Sequence, residues 1–165
     1  MGTQVIKYGS LTAANDATPT HTPGTVYQDI TAGVTYQYVR FDNGSGNITA
    51  VAGHCVYTFT QASYVVTNDV SDSVTAGANS VCGVIQLVVT DQYYTWMIVK
   101  GPYATVKTNG DDDISQNDCI FGVGDGTVNS DAAGTAPKYK VLGWATAADV
   151  DANDTVAATI TVGPM

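Results

Sequence analysis

All fifteen acidic side chains of this 165-residue chain are aspartates, and glutamate is absent. Glutamate is a good helix former, whereas Asp competes with the helical backbone and favours caps and turns. A chain built this way is poorly suited to a helical fold. Ten tyrosines and many Thr and Val fit pleated strands, while seventeen glycines, with Asn and Asp, supply turns. The composition therefore predicts an all-β protein long enough to bury a real core.

Runs of alternating residues mark the strands. Val34, Tyr36 and Tyr38 fall on one face, with Thr35, Gln37, Val39 and Phe41 on the other. Residues 55–60 alternate similarly, and 63–67 form a further β-prone run. The most apolar part is 81–90 followed by 93–101, which reads as a central hairpin buried on both sides, or on one side with an oligomer contact on the other. Pro102 and Asn109-Gly110 flank a separate run at 103–107. Asp125-Gly126 signals a type I′ hairpin. Residues 139–145 and 155–162 close the chain as two strands. About nine to eleven short strands at turn spacings of roughly ten residues predict a small β-barrel or β-sandwich over 24–165. Residues 1–23 hold two prolines and no period, so they read as an extended arm, either loose or pinned onto a neighbour.

Charge and chemistry exclude several functions. Six Lys and Arg against fifteen Asp give a formal charge of -9, which disfavours nucleic-acid phosphates. No run approaches the ~20 apolar residues of a membrane span, and residues 1–7 lack the apolar stretch of a signal peptide. Cys55, Cys82 and Cys119 form no zinc spacing and read as small buried apolar residues with free thiols. Of the two histidines, His21 reads as a surface residue and His54 as the edge of a strand. His54 and Cys55, adjacent on a strand, point to opposite faces and form no catalytic pair. Asp111-Asp112-Asp113 lacks the calcium-loop order, as do Asp149, Asp151 and Asp154, and both sets read as solvated turns. The glycine run 122–126 lacks the lysine and helix of a phosphate loop. The expectation is a non-enzymatic protein with no metal and no cofactor. Tyr93, Tyr94, Trp96, Tyr103, Tyr139 and Trp144 read as core or oligomer seam; a sugar-stacking platform built from Tyr93, Trp96 and Trp144 is the alternative, and would make the chain a carbohydrate-binding or tail-fibre module.

The order of segments carries a resemblance. Gly24-Thr25-Val26-Tyr27, then Thr35-Tyr36-Gln37-Tyr38-Val39-Arg40, then Val51-Ala52-Gly53-His54-Cys55-Val56-Tyr57 open the pattern. Val81-Cys82-Gly83-Val84-Ile85 and Tyr93-Tyr94-Thr95-Trp96-Met97-Ile98-Val99-Lys100-Gly101 follow. Asn117-Asp118-Cys119-Ile120, Gly126-Thr127-Val128 and Val141-Leu142-Gly143-Trp144-Ala145 end it. Together they resemble the head decoration, or capsid cement, proteins of tailed bacteriophages. Thr95 and Asn117 stand where glycine is common in that pattern, and the arm is not part of it. The resemblance implies a β-rich homo-oligomer, often a trimer. It would bind the outer surface of an icosahedral head at junctions between major capsid proteins and brace the expanded shell. It brings no catalytic residues. Assembly in the host cytoplasm and a place on the virion surface follow. The contacts expected with other subunits or the capsid are Val5, Ile6 and Tyr8 of the arm and Tyr93, Tyr94 and Trp96 of the apolar hairpin.

Overall fold

The computed structural model describes residues 11–73, 80–110, 113–131, 140–149 and 155–165. Ten strands account for its regular structure: β1 (Val26–Asp29), β2 (Val34–Asp42), β3 (Cys55–Thr60), β4 (Val65–Thr67), β5 (Val81–Ile85), β6 (Tyr94–Lys107), β7 (Cys119–Gly122), β8 (Val128–Asp131), β9 (Val141–Ala145) and β10 (Thr155–Ile160). Two short 3₁₀ turns, Gln61–Ser63 and Val70–Asp72, flank β4. The all-β expectation is met.

The strands run in the order β1-β2-β4-β3-β5-β6-β10-β9-β7-β8, and an extra pairing of β2 with β6 closes β2, β4, β3, β5 and β6 into a five-stranded barrel. Closure removes the free edges that an open sheet must protect. Most pairings are antiparallel, but β2 and β4 run parallel over three residue pairs. Strand β1 pairs with β2 beside the barrel, and the other four strands form a second sheet, β10-β9-β7-β8, joined to the barrel through β6.

Alternation along the strands produces two cores. Val39 and Phe41 of β2, Val56 of β3, Val66 of β4, Cys82 of β5 and Met97 and Val99 of β6 fill the barrel. Their alternates, Tyr36, Tyr38, Tyr57, Val84, Trp96 and Ile98, point out of the barrel wall. There they pack with Ile120, Leu142, Val156 and Ile160 of the second sheet. The period of two read for β2 is the one observed.

Strand β6 departs from the sequence reading. Pro102 does not divide it; one strand of fourteen residues runs from Tyr94 to Lys107. Its first half pairs with β2 and β5 in the barrel, and its second half pairs with β10 in the second sheet. The handover falls at Gly101, which adopts φ +113°. A Cβ there would stand 2.5 Å from the Gly33 carbonyl oxygen. Both the dihedral and the space demand glycine. The proline is tolerated because β2 pairs no further along β6 than Lys100.

Three smaller readings are also corrected. Strand β5 stops at Ile85 rather than continuing to 90. The run at 63–67 begins as a strand only at Val65, because Tyr64 sits at φ 52°. Asp125-Gly126 does lie in the hairpin between β7 and β8, but the connection spans 123–127, closed by Val123 N–H donating to the Thr127 carbonyl at 3.1 Å. Only Gly126 has positive φ there, so the two-residue type I′ turn is not formed.

Gly101→Ala is expected to destabilise the protein by about 2–3 kcal/mol, from the strained dihedral and the clash with the β1–β2 turn. Urea unfolding with an unchanged m-value would report it; a loss below about 0.5 kcal/mol would contradict this account of the handover.

Candidate functional site

One gathering of chemically capable side chains lies where the segment 11–23 crosses the outer wall of the barrel. Leu11 and Ala14 are buried in the core between the barrel and the second sheet. Asp16 forms a two-way backbone bridge with Tyr94, at 3.0 and 2.9 Å. Its carboxylate accepts from the Tyr38 hydroxyl and from Thr20 Oγ1, each at 2.8 Å. Burial pushes the Tyr38 phenol above its ordinary range, so it stays protonated and donates. Further along, Gly24 N–H donates to the Tyr38 carbonyl at 2.8 Å, and Tyr38 N–H donates to the Thr25 carbonyl at 2.9 Å.

Rings complete the arrangement. Tyr38 stacks on Tyr94 at 6.0 Å and meets Trp96 at 5.0 Å, while His21 lies 5.3 Å from Tyr38 and 5.2 Å from Trp96. His21 Nδ1 and Trp96 Nε1 are buried without a hydrogen-bond partner. An unmet buried donor or acceptor costs about 1–3 kcal/mol. Four ring contacts at about 0.5–1.5 kcal/mol each, beyond area burial, can offset that. The cluster works as a fastener: it holds 11–23 on β2 and β6. His21, read as a surface residue, is half-buried: it lines a surface depression with its Nδ1 covered.

A second set fastens the β7–β8 hairpin to the barrel. His54 packs over Gly126, where a Cβ would come within 2.4 Å of the imidazole. Its Nδ1 lies 3.1 Å from the Asn68 amide nitrogen. Burial, reinforced by the Lys107 charge and opposed by Asp125, lowers the His54 pKa to about 4. Nearby, the Tyr57 hydroxyl donates to the Gly124 carbonyl at 2.7 Å, and Cys55 Sγ lies 3.5 Å from the same hydroxyl. Burial raises the Tyr57 phenol. Burial likewise pushes the Cys55 and Cys82 thiols up to about 12. All three cysteines are free and buried, as expected. A thiol held in this state is a packing group, not a nucleophile. The glycine run 122–126 is accordingly a hairpin loop.

A third set is acidic. Asp69 accepts from Ser71 Oγ at 2.6 Å, from Ser71 N–H at 3.0 Å and from Gly46 N–H at 2.9 Å, and Asp72 accepts from Ser45. The Ser71 hydroxyl bond, with the backbone donors behind it, holds the Asp69 carboxyl below the usual carboxylate range. These bonds tie the 43–48 turn to the 3₁₀ turn after β4. Among the described residues, no three His, Cys or Asp side chains come together as a metal site. Asp113 is exposed and Asp149 is buried; Asp111, Asp112, Asp151 and Asp154 lie outside the described residues.

The expected contact residues divide. Val5, Ile6 and Tyr8 lie outside the described residues, as does Tyr139. Tyr94 is part of the ring cluster and Tyr93 packs against the barrel core, both half-buried. Trp96 has 0% exposure, so its indole is interior and offers nothing to a partner; this corrects its assignment as a contact. The same burial takes Trp96 out of the sugar platform, whose other rings, Tyr93 and Trp144, are half-buried and 47% exposed. Outward-facing apolar side chains are found elsewhere: Ile30 is 86% exposed, Val88 58%, Trp144 47% and Val26 46%. Two surface depressions, one along 19–25 beside His21 and one between Tyr103 and Ala157, hold no pair of converging acid and base. No helix among the described residues is long and apolar enough to cross a membrane.

No family model matches the sequence, and no curated protein sequence matches it. Among solved structures, the chain is similar to the N base of head fibre gp8.5 of bacteriophage phi29, with a TM-score of 0.44 and 15% identity over 80% of this chain and 98% of that one.

Two outcomes follow from the buried groups. A thiol reagent should modify none of the three cysteines in the folded protein and all three in denaturant; rapid native labelling of Cys55 or Cys82 would contradict their burial. His54 binds its proton less readily when folded than when unfolded, so its contribution is full above about pH 6.5 and is lost as pH falls towards 4. The melting temperature should therefore drop across that window, and His54→Gln should flatten the drop. A slope that persists unchanged in His54→Gln would place its origin elsewhere.

Proposed function

We propose that this chain is a bacteriophage head decoration protein, which binds the outer surface of the icosahedral head at junctions between major capsid proteins and stabilises the expanded shell. The observation that carries this reading is how the side chains are used. The groups that could do chemistry, Asp16, Tyr38, His54, Cys55 and Asp69, are spent on fastening loops to a closed barrel. The barrel and second sheet are filled by packing. Apolar side chains left outward, above all Ile30 on the β1–β2 turn, are suited to burial against a neighbour. The ordered resemblance to capsid cement proteins supplies the identity of that neighbour.

In this reading the protein acts by multivalent docking, many modest contacts repeated over the shell. A rigid surface with few long charged side chains loses little rotamer entropy when it docks. A homotrimer is the favoured assembly, and the segment containing Val5, Ile6 and Tyr8 adds contacts to a neighbour. The outward set of Val26, Ile30, Val88 and Trp144 replaces Trp96 as the surface to test.

The experiment is sedimentation with expanded and unexpanded heads of the tailed phage that carries the chain. Binding to expanded heads is expected, weakened by about tenfold or more in Ile30→Asp with the melting temperature unchanged. Absence of binding to either form of head would defeat the proposal, and a Ile30→Asp variant that binds normally would move the contact surface elsewhere.

A further inference from the structure

On the inward face of β2 the sequence places Gln37 in line with Val39 and Phe41. A buried primary amide has two donors and an acceptor to satisfy, and an apolar barrel offers it nothing. Gln37 is nonetheless only 1% exposed. Its partner is the main chain of Met165: Met165 N–H donates to Gln37 Oε1 at 2.9 Å, and Gln37 Nε2 donates to the Met165 carbonyl at 3.4 Å. Thr58 Oγ1 donates to Met165 Sδ at 3.3 Å, and Gly163 N–H donates to the Val99 carbonyl at 2.9 Å. Val162 and Met165 pack against the barrel core.

The two sides of this contact are unlike. None of residues 161–165 is fully buried and none belongs to a strand, whereas the barrel residues behind them are at or near zero exposure. The main chain of 161–165 is held by two backbone bonds, Thr161 N–H to the Leu142 carbonyl and Gly163 N–H to the Val99 carbonyl, both at 2.9 Å. A segment without a continuous ladder sits lower in local stability than the strands behind it. The recognition is also addressed to backbone atoms. A side-chain amide that binds the main-chain N–H and main-chain oxygen of one residue reads backbone rather than a particular side chain.

We propose that the end of the barrel marked by Gln37 and Thr58 is a slot for an extended peptide main chain, filled in the resting protein by residues 161–165, which leave and return as a unit and thereby open and close the barrel interior. The occupant is this chain's own segment, and any other occupant must offer the same paired N–H and C=O beside an apolar side chain. The end of β10 at Ile160 gives the segment a place to swing from. Cys82 is the natural reporter. It lines the barrel interior, where its thiol donates to the Val56 carbonyl at 3.4 Å. Cys55 lies in the other core, behind the barrel wall.

The test is a chain ending at Ile160, checked for a cooperative melt, and labelled with a thiol reagent mapped by peptide mass. Cys82 should react about tenfold faster or more than in the full chain, while Cys55 stays protected. A synthetic peptide of residues 161–165 should restore protection, and should fail to do so in the same shortened chain carrying Gln37→Leu. Cys82 as protected in the shortened chain as in the full one would overturn the proposal, as would a peptide that never restores protection. If the shortened chain does not melt cooperatively, hydrogen exchange on the full chain decides. Amides of Gly163 and Met165 that exchange well before those of β2 and β6 support the slot; exchange at the same rate overturns it.

Discussion

Strand β6 pairs with β2 and β5 over its first half and with β10 over its second, so both cores are built on one length of backbone. Its residues alternate between them: Met97 and Val99 face into the barrel, and Trp96, Ile98 and Val106 face the second sheet. The strand can serve both only because Gly101 bends it where the β1–β2 turn presses closest. A side chain at that point would push the two sheets apart and loosen two cores together. Much of the remaining architecture, including which loops can reach which faces, depends on that bend.

Polar chemistry in this molecule is devoted to closure. Asp16 and Tyr38 hold the 11–23 segment on the barrel wall, His54 and Tyr57 hold the β7–β8 hairpin, and Asp69 holds the turn after β2. Each pairs a side chain with a backbone group or with side chains packed beside it. Short Asp side chains lose little rotamer entropy in doing so, which is the physical counterpart of a chain that has no Glu. Gln37 follows the same rule with the main chain of Met165. The result is a body with fastened loops and a few outward apolar side chains, suited to lying against other surfaces.

Much of the fold could be read without coordinates. The alternation of Val34, Tyr36 and Tyr38 against Gln37, Val39 and Phe41 is the one observed, because a strand buried on both faces keeps its period of two. The burial of the cysteines was legible from their isolation, and the glycine run from the lack of a helix after it. Contact residues were less legible. Trp96 looks like Trp144 in sequence, yet one is interior and the other half-exposed. Aromatic content says that a residue will be buried against something, not against what. His21 and Asp16 gave no signal at all, since the Pro and Thr around them carry no period. Their roles come from the barrel surface on which they are laid.

Local chemistry therefore settled the class of structure: the strands, turns and free thiols of the described residues follow from residue types and their spacing, which act over a few positions. Tertiary structure alone decided that Pro102 would not end a strand, that β2 would meet β6 and close a barrel, and that a segment near position 165 would satisfy an amide at position 37. Those outcomes depend on pairings between residues far apart in the chain, and their energies exist only once the distant partners have been brought into register.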